Sequence, residues 1–168
     1  AVTVSPLRKS QVGDTARRGC DIALYGAEIE RIRAGEGYYE AAAAELARIV
    51  RPGGTIALAS WTPDGFVGAM FRTVAAHVPP PAGLASPMLW GTPEHLTRIF
   101  GEDVSWTHRE RTFTFRFTSA EAFVETFAAY YGPTLKALEA AGAARTALAD
   151  DLRHLALSWN RLDGTGPI

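Results

Sequence analysis

Apolar residues return every third or fourth position through YYEAAAAELARIV, where Tyr39, Ala42, Leu46, Ile49 and Val50 form one stripe. That spacing, in an alanine-rich segment, predicts an α-helix from Tyr38. Pro52 cannot continue it, and Gly53 or Gly54 can adopt the left-handed conformation that closes a helix. The period then changes. TIALASW, residues 55–61, is almost wholly apolar, the pattern of a strand buried on both faces, and so predicts a parallel sheet covered by helices. Thr62-Pro63-Asp64 offers a hydroxyl cap followed by proline, the start of a second helix on which Phe66, Met70, Phe71, Val74 and Val78 keep helical spacing. PPPAGLASPMLWG is too rich in proline and glycine to be an element, but Met88, Leu89 and Trp90 predict that it lies on an apolar surface. Thr92-Pro93-Glu94 repeats the helix start, with Leu96, Ile99 and Phe100 facing inward and Gly101 as the stop.

RTFTFRF, residues 111–117, alternates strictly: Phe113, Phe115 and Phe117 on one face, Thr112, Thr114 and Arg116 on the other. A strand with one face in the core and one in water is predicted. Thr118 and Glu121 have the spacing of a capping box before a helix carrying Phe123, Phe127, Tyr130 and Tyr131; a further helical piece follows Pro133, and Leu148, Leu152, Leu155 and Trp159 stripe a last helix. The start of the chain is less regular. Residues 1–4 can form a strand, a polar connection follows, and DIALY within DIALYGAEIERI is ambiguous between strand and helix, with its β-branched and aromatic residues slightly favouring strand. Gly35-Glu36-Gly37 must turn.

At 168 residues and 47% hydrophobic, the chain is read as one domain, 1–168, with enough apolar material for a core. A net charge of -1 gives no field favouring nucleic acid or an anionic membrane, so neither is expected as a partner. Arg8, Lys9, Arg17 and Arg18 make a mild basic cluster without interleaved aromatics, which reads as a solvated segment. Cys20 is the single cysteine, excluding an internal disulfide; with no long apolar run or signal-type leader, a cytoplasmic protein is expected. His77, His95, His108 and His154 show no metal-ligand spacing and read as surface or cap-adjacent, so no metal is expected, and no G-x-S-x-G elbow is present.

The order of helix, Arg-Pro-Gly-Gly, buried strand and Thr-Pro-capped helix resembles the second half of a class I S-adenosylmethionine-dependent methyltransferase. Within that group ELARIVRPGGTIALASWTPDGF, LWGTPEHLTRIFG and TFTFRFTSAEAFVETFAAYYGP look like the small-molecule branch related to ubiquinone and menaquinone biosynthesis enzymes, over roughly residues 40–160. The resemblance implies an α/β fold: a partial Rossmann-like methyltransferase sheet covered by helices, with additional C-terminal helices. TIALASW would be the fifth strand, RTFTFRF would lie in the sixth and DIALY would stand for the fourth. It also implies S-adenosylmethionine as cofactor, with Asp14 and Thr15, in the position of the family's Gly-Asp-Ala, and Tyr25 and Gly26 at the end of the fourth strand as cofactor-binding residues. The bland alternative for Asp14 is a turn residue. Two features depart from the family. TARRGC replaces its Leu-Pro-Phe, and no glycine-rich turn follows a first strand; Gly35-x-Gly37 lacks the third glycine and reads as an ordinary connection. The chain is therefore expected to be a fragment, a truncated product or a reduced relative, covering the methyltransferase-like C-terminal half in 37–168 after a weakly matched 1–36.

Methyl transfer from a sulfonium depends on proximity and orientation more than on an acid or base, so no catalytic residue is assigned. By family position Trp61, Phe66, Met70 and Trp90 would wall an apolar or aromatic acceptor, and Tyr130 and Tyr131 would lid it. Core packing is the alternative for each. Two functions stand side by side: methyl transfer to a small acceptor, or a non-catalytic remnant that binds an apolar ligand or a second copy. Unpaired edges of a half sheet predict a homodimer or larger assembly.

Overall fold

The computed structural model describes residues 2–9, 37–162 and 167–168. Asp14, Thr15, Cys20, DIALY, Tyr25, Gly26 and Gly35 lie outside the described residues. In chain order the elements are β1 (Val2–Lys9), α1 (Tyr38–Ile49), β2 (Thr55–Trp61), α2 (Phe66–His77), a 3-10 turn (Pro87–Gly91), α3 (Pro93–Phe100), β3 (Val104–Trp106), β4 (Arg109–Arg111), α4 (Ala120–Tyr130), α5 (Gly132–Ala140), a second 3-10 turn (Gly142–Ala144) and α6 (Arg145–Ser158). They form two compact units, Ala1–Pro63 with Pro81–Thr112, and Asp64–Pro80 with Phe113–Ile168.

In the first unit β1 lies between β2 on one side and β3 with β4 on the other, and every ladder is antiparallel. The β1–β2 register runs from Val2 opposite Trp61 to Arg8 opposite Thr55. On its other side β1 meets β3 through Leu7–Lys9 and β4 through Val2–Val4, so Pro6 falls with Ser5 between the two ladders, where a missing N–H is tolerated. The expected interior parallel strand is thus corrected. Among the described residues β2 stands at the end of the strand order, antiparallel to its neighbour, and only one of its faces is closed: Ile56 is 5% exposed and Leu58 half-buried, whereas Thr55, Ala57 and Ala59 are exposed. The physical reason lies in side-chain size. The run alternates large and small rather than apolar and polar, and an alanine on an open face costs little.

Ala43, Ile56, Leu96, Phe100 and Val104 form the core of this unit, with Leu46, Val50, Leu58, Trp90, Ile99 and Trp106 packed around it. α1 therefore presents Tyr39, Ala43, Leu46 and Val50 to the core, a stripe turned slightly from the expected one; Ala42 is only half-buried and Ile49 is exposed. Arg51-Pro52-Gly53-Gly54 then closes a turn in which Gly54 N donates to Arg51 O at 2.8 Å and Gly53 takes φ 72°, the type II geometry that proline and then glycine favour. The proline-rich linker does lie on apolar residues: Met88 is buried, and the Trp90 ring meets Tyr39 at 5.6 Å and Phe100 at 6.4 Å. Gly91 comes so close to β2 that a Cβ there would sit 2.2 Å from Trp61 O. α3 begins and ends as expected, with Pro93 in its first turn and Gly101 at φ 68° after it, although the Thr92 hydroxyl donates to Leu89 O instead of capping the helix.

The second unit is helical. Met70 of α2, Phe123 of α4 and Leu148 and Leu152 of α6 are almost fully buried, and Thr134 of α5 sits among them with its hydroxyl 3.9 Å from Met70 Sδ. α2 begins at Phe66 after Gly65, without a side-chain cap, because Pro63 and Asp64 form a turn; the expected start at Thr62 is corrected. Ser119, not Thr118, caps α4, its hydroxyl accepting from Ala122 N at 3.1 Å. RTFTFRF contributes only Arg111 to a strand. β4 ends at Arg111, opposite Val2 of β1, and residues 112–117 carry no strand. Beyond it the alternation survives in the facing of Phe115 and Phe117, half-buried, and of Thr114 and Arg116, exposed, with Phe117 and Ile168 exchanging two backbone hydrogen bonds of 3.0 Å. Phe113, expected inside, is 60% exposed.

The approach of Gly91 to Trp61 gives a direct test. Gly91→Ala must push the 3-10 turn off β2 and should lower stability by about 2 kcal/mol in chemical denaturation. An unchanged midpoint would mean that this approach is looser than described.

Candidate functional site

The six residues expected around an acceptor divide between the units: Trp61 and Trp90 in the first, Phe66, Met70, Tyr130 and Tyr131 in the second. Trp61 ends β2, where its carbonyl abuts Gly91, and Trp90 packs on the core of the first unit. In the second unit Phe66 meets Phe123 at 5.4 Å, Trp159 at 5.9 Å and Phe115 at 6.1 Å. Phe127 extends this cluster, lying 4.6 Å from Phe123 and 5.1 Å from Tyr131. These are interlocked edge-on and tilted rings at packing distance, which stabilise one another as a core. Burial pushes the Tyr131 hydroxyl above its ordinary pKa. Met70 is 1% exposed and Tyr130 87% exposed, so the first serves packing and the second projects into solvent.

Two polar constellations were not legible as such in the chain. On the second unit, an open depression of about 420 Å³ is lined by Thr73 and Ala76 of α2 and by Asp151, His154, Leu155 and Ser158 of α6. Beside it His77 Nε2 lies 2.6 Å from Asp151 Oδ2. A histidine held by a carboxylate resembles part of a catalytic triad, but the neighbouring hydroxyl of Ser158 donates to Leu155 O at 2.8 Å within its own helix. In the first unit His95 is 7% exposed; of the expected surface or cap-adjacent positions it takes the second, in the first turn of α3 after Thr92. Its ring meets Tyr39 at 5.0 Å, and Arg98 spans from His95 Nδ1 to Glu40 of α1, 2.6 Å from the carboxylate. A hydrogen bond at its own backbone, and then the Arg98 guanidinium, hold Glu40 below the usual carboxylate range. The signal was present as the i, i+3 spacing of His95 and Arg98 on a short amphipathic helix; their partner, 58 residues away from Arg98, was not.

Among the described residues no three His, Cys, Asp or Glu side chains converge on a metal position. No helix among them is long and apolar enough to cross a membrane. Gly37, from the expected Gly-x-Gly connection, stands at φ 66° before α1 with open space around it, and serves the chain turn into that helix.

No family model matches the chain, and no solved structure matches it. Curated relatives exist in mycobacteria. Uncharacterized proteins of Mycobacterium tuberculosis strain H37Rv and of Mycobacterium bovis are each 40% identical over 102 residues, which is 59% of this chain and 37% of theirs. A second Mycobacterium tuberculosis H37Rv protein is 33% identical over the same extent. The chain thus spans little more than a third of the length of the curated relatives it matches.

The expected acceptor residues can be sorted by stability. Met70→Ala should cost about 3 kcal/mol as a core deletion, while Tyr130→Ala should stay within about 0.5 kcal/mol. Chemical denaturation of both variants checks this, and a tolerated Met70→Ala would return Met70 to the candidate ligand contacts.

Proposed function

We propose that this chain does not transfer methyl groups by itself and acts as a methyltransferase-like module that associates through apolar surface with a second copy of itself. One observation carries this: β2 is the terminal strand of an all-antiparallel sheet in the described residues, with Ala57 and Ala59 exposed on its uncovered face. An open parallel sheet binds nucleotide ligands in the crevice at the carboxyl ends of its strands. Antiparallel neighbours bring opposite strand ends together, so β2 and β1 do not build such a crevice between them. A strand of seven residues without charge or proline at a sheet end lacks the features that blunt an edge against pairing, and so is suited to association with another chain.

A second proposal, methyl transfer from S-adenosylmethionine to a small apolar or aromatic acceptor, is favoured by the chain order of α1, the Arg51–Gly54 turn and β2, the order on which the methyltransferase resemblance rests. Under it, the activity belongs to a longer protein like the mycobacterial relatives, with the donor held by residues outside those described.

Calorimetric titration with S-adenosylmethionine, paired with light scattering at micromolar concentration, separates the two. The module predicts no heat and no thermal shift, together with a dimeric mass. Micromolar binding by this chain would contradict it and favour the second proposal, and a monomeric mass would remove the association.

A further inference from the structure

Arg98 Nη2 lies 3.1 Å from His95 Nδ1. A guanidinium only donates, so Nδ1 is the acceptor and the neutral ring carries its proton on Nε2. Nε2 is itself buried without a hydrogen-bond partner. The other arm of the same guanidinium reaches Glu40 at 2.6 Å, and the Tyr39 ring meets the imidazole at an interplanar angle of 89°. His95 is therefore the neutral centre of a clasp joining α3 to α1.

We propose that His95 is a pH-sensitive latch, which holds α3 against α1 while neutral and releases the two helices when protonated. Protonation turns Nδ1 from an acceptor into a donor pointed at another donor. It sets a second positive charge 3.1 Å from the Arg98 nitrogen and leaves both ring N–H groups in a buried place without an acceptor. Among the described residues, the titratable or charged groups facing the ring are Arg98 from its own helix and Glu40 and Tyr39 from α1. The 3-10 turn packed on α3, Pro-Met-Leu-Trp-Gly, adds none. Glu40 opposes the release, but it is half-exposed and already engaged by Arg98. Burial first, and then Arg98, outweigh it and hold His95 below its ordinary value of 6.5. The sign follows. A depressed pKa means that folding favours the neutral ring, so the latch is fully engaged above pH 6.5 and is lost as pH falls below it.

Hydrogen exchange of the full chain between about pH 7.5 and pH 5.5, corrected for intrinsic rates, tests this. Opening of α1 and α3 should increase below pH 6.5 by at most about tenfold per pH unit, the limit for one proton. His95→Gln, which keeps an oxygen to accept from Arg98 and cannot titrate, should flatten that dependence. The same dependence in the variant would overturn the latch. Should the variant not fold, a ring titration of the unaltered chain by NMR decides: a His95 midpoint below the ordinary value of 6.5 is expected, and one at or above it overturns the latch.

Discussion

Burial of Ile56 is the contact on which the first unit depends. One residue of β2 is closed over by Ala43 of α1 and by Leu96 and Phe100 of α3, with Val104 of β3 completing the core. The surrounding features follow from bringing two helices onto one side of a strand. The Pro-Gly-Gly turn must reverse the chain tightly between α1 and β2, the linker must be thin enough at Gly91 to lie against Trp61, and α3 must start immediately after it. The polar clasp of His95, Arg98 and Glu40 forms at the margin of the same helix pair, where its guanidinium remains in water and its imidazole does not.

Elements set by local chemistry were legible in the chain. The alanine-rich helix α1, the left-handed glycine after Pro52, the proline at the start of α3 with its glycine stop, and the leucine stripe of α6 all depend on neighbours within a few residues, and they occur where that chemistry places them. Pairing was not legible, because it depends on which distant segment arrives. TIALASW looked two-faced because alanine counts as apolar wherever it stands, yet Ala57 and Ala59 are exposed and only Ile56 and Leu58 turn to the core. RTFTFRF kept its alternation at Phe115 and Phe117 but not at Phe113, and only Arg111 of it pairs in a strand. Of the candidate site, Phe66, Met70 and Trp90 pack against core neighbours, and the burial of His95 was not legible because the ring it meets, Tyr39, is far from it in sequence.

The functional proposals differ in what they ask of β2. A module that associates needs its uncovered face and free strand end; a methyl-transfer enzyme needs parallel neighbours and a second layer over that face. The mycobacterial relatives are nearly three times as long as the matched region.

The most direct measurement is thiol labelling along β2 in a Cys20→Ser background. In protein diluted until light scattering gives a monomeric mass, single cysteines at Ala57 and Ala59 should react at nearly the rate of a free thiol, while one at Ile56 should be protected until the protein unfolds. Protection at Ala57 and Ala59 equal to that at Ile56 would mean a strand covered on both sides, and would contradict the one-sided core on which this account stands.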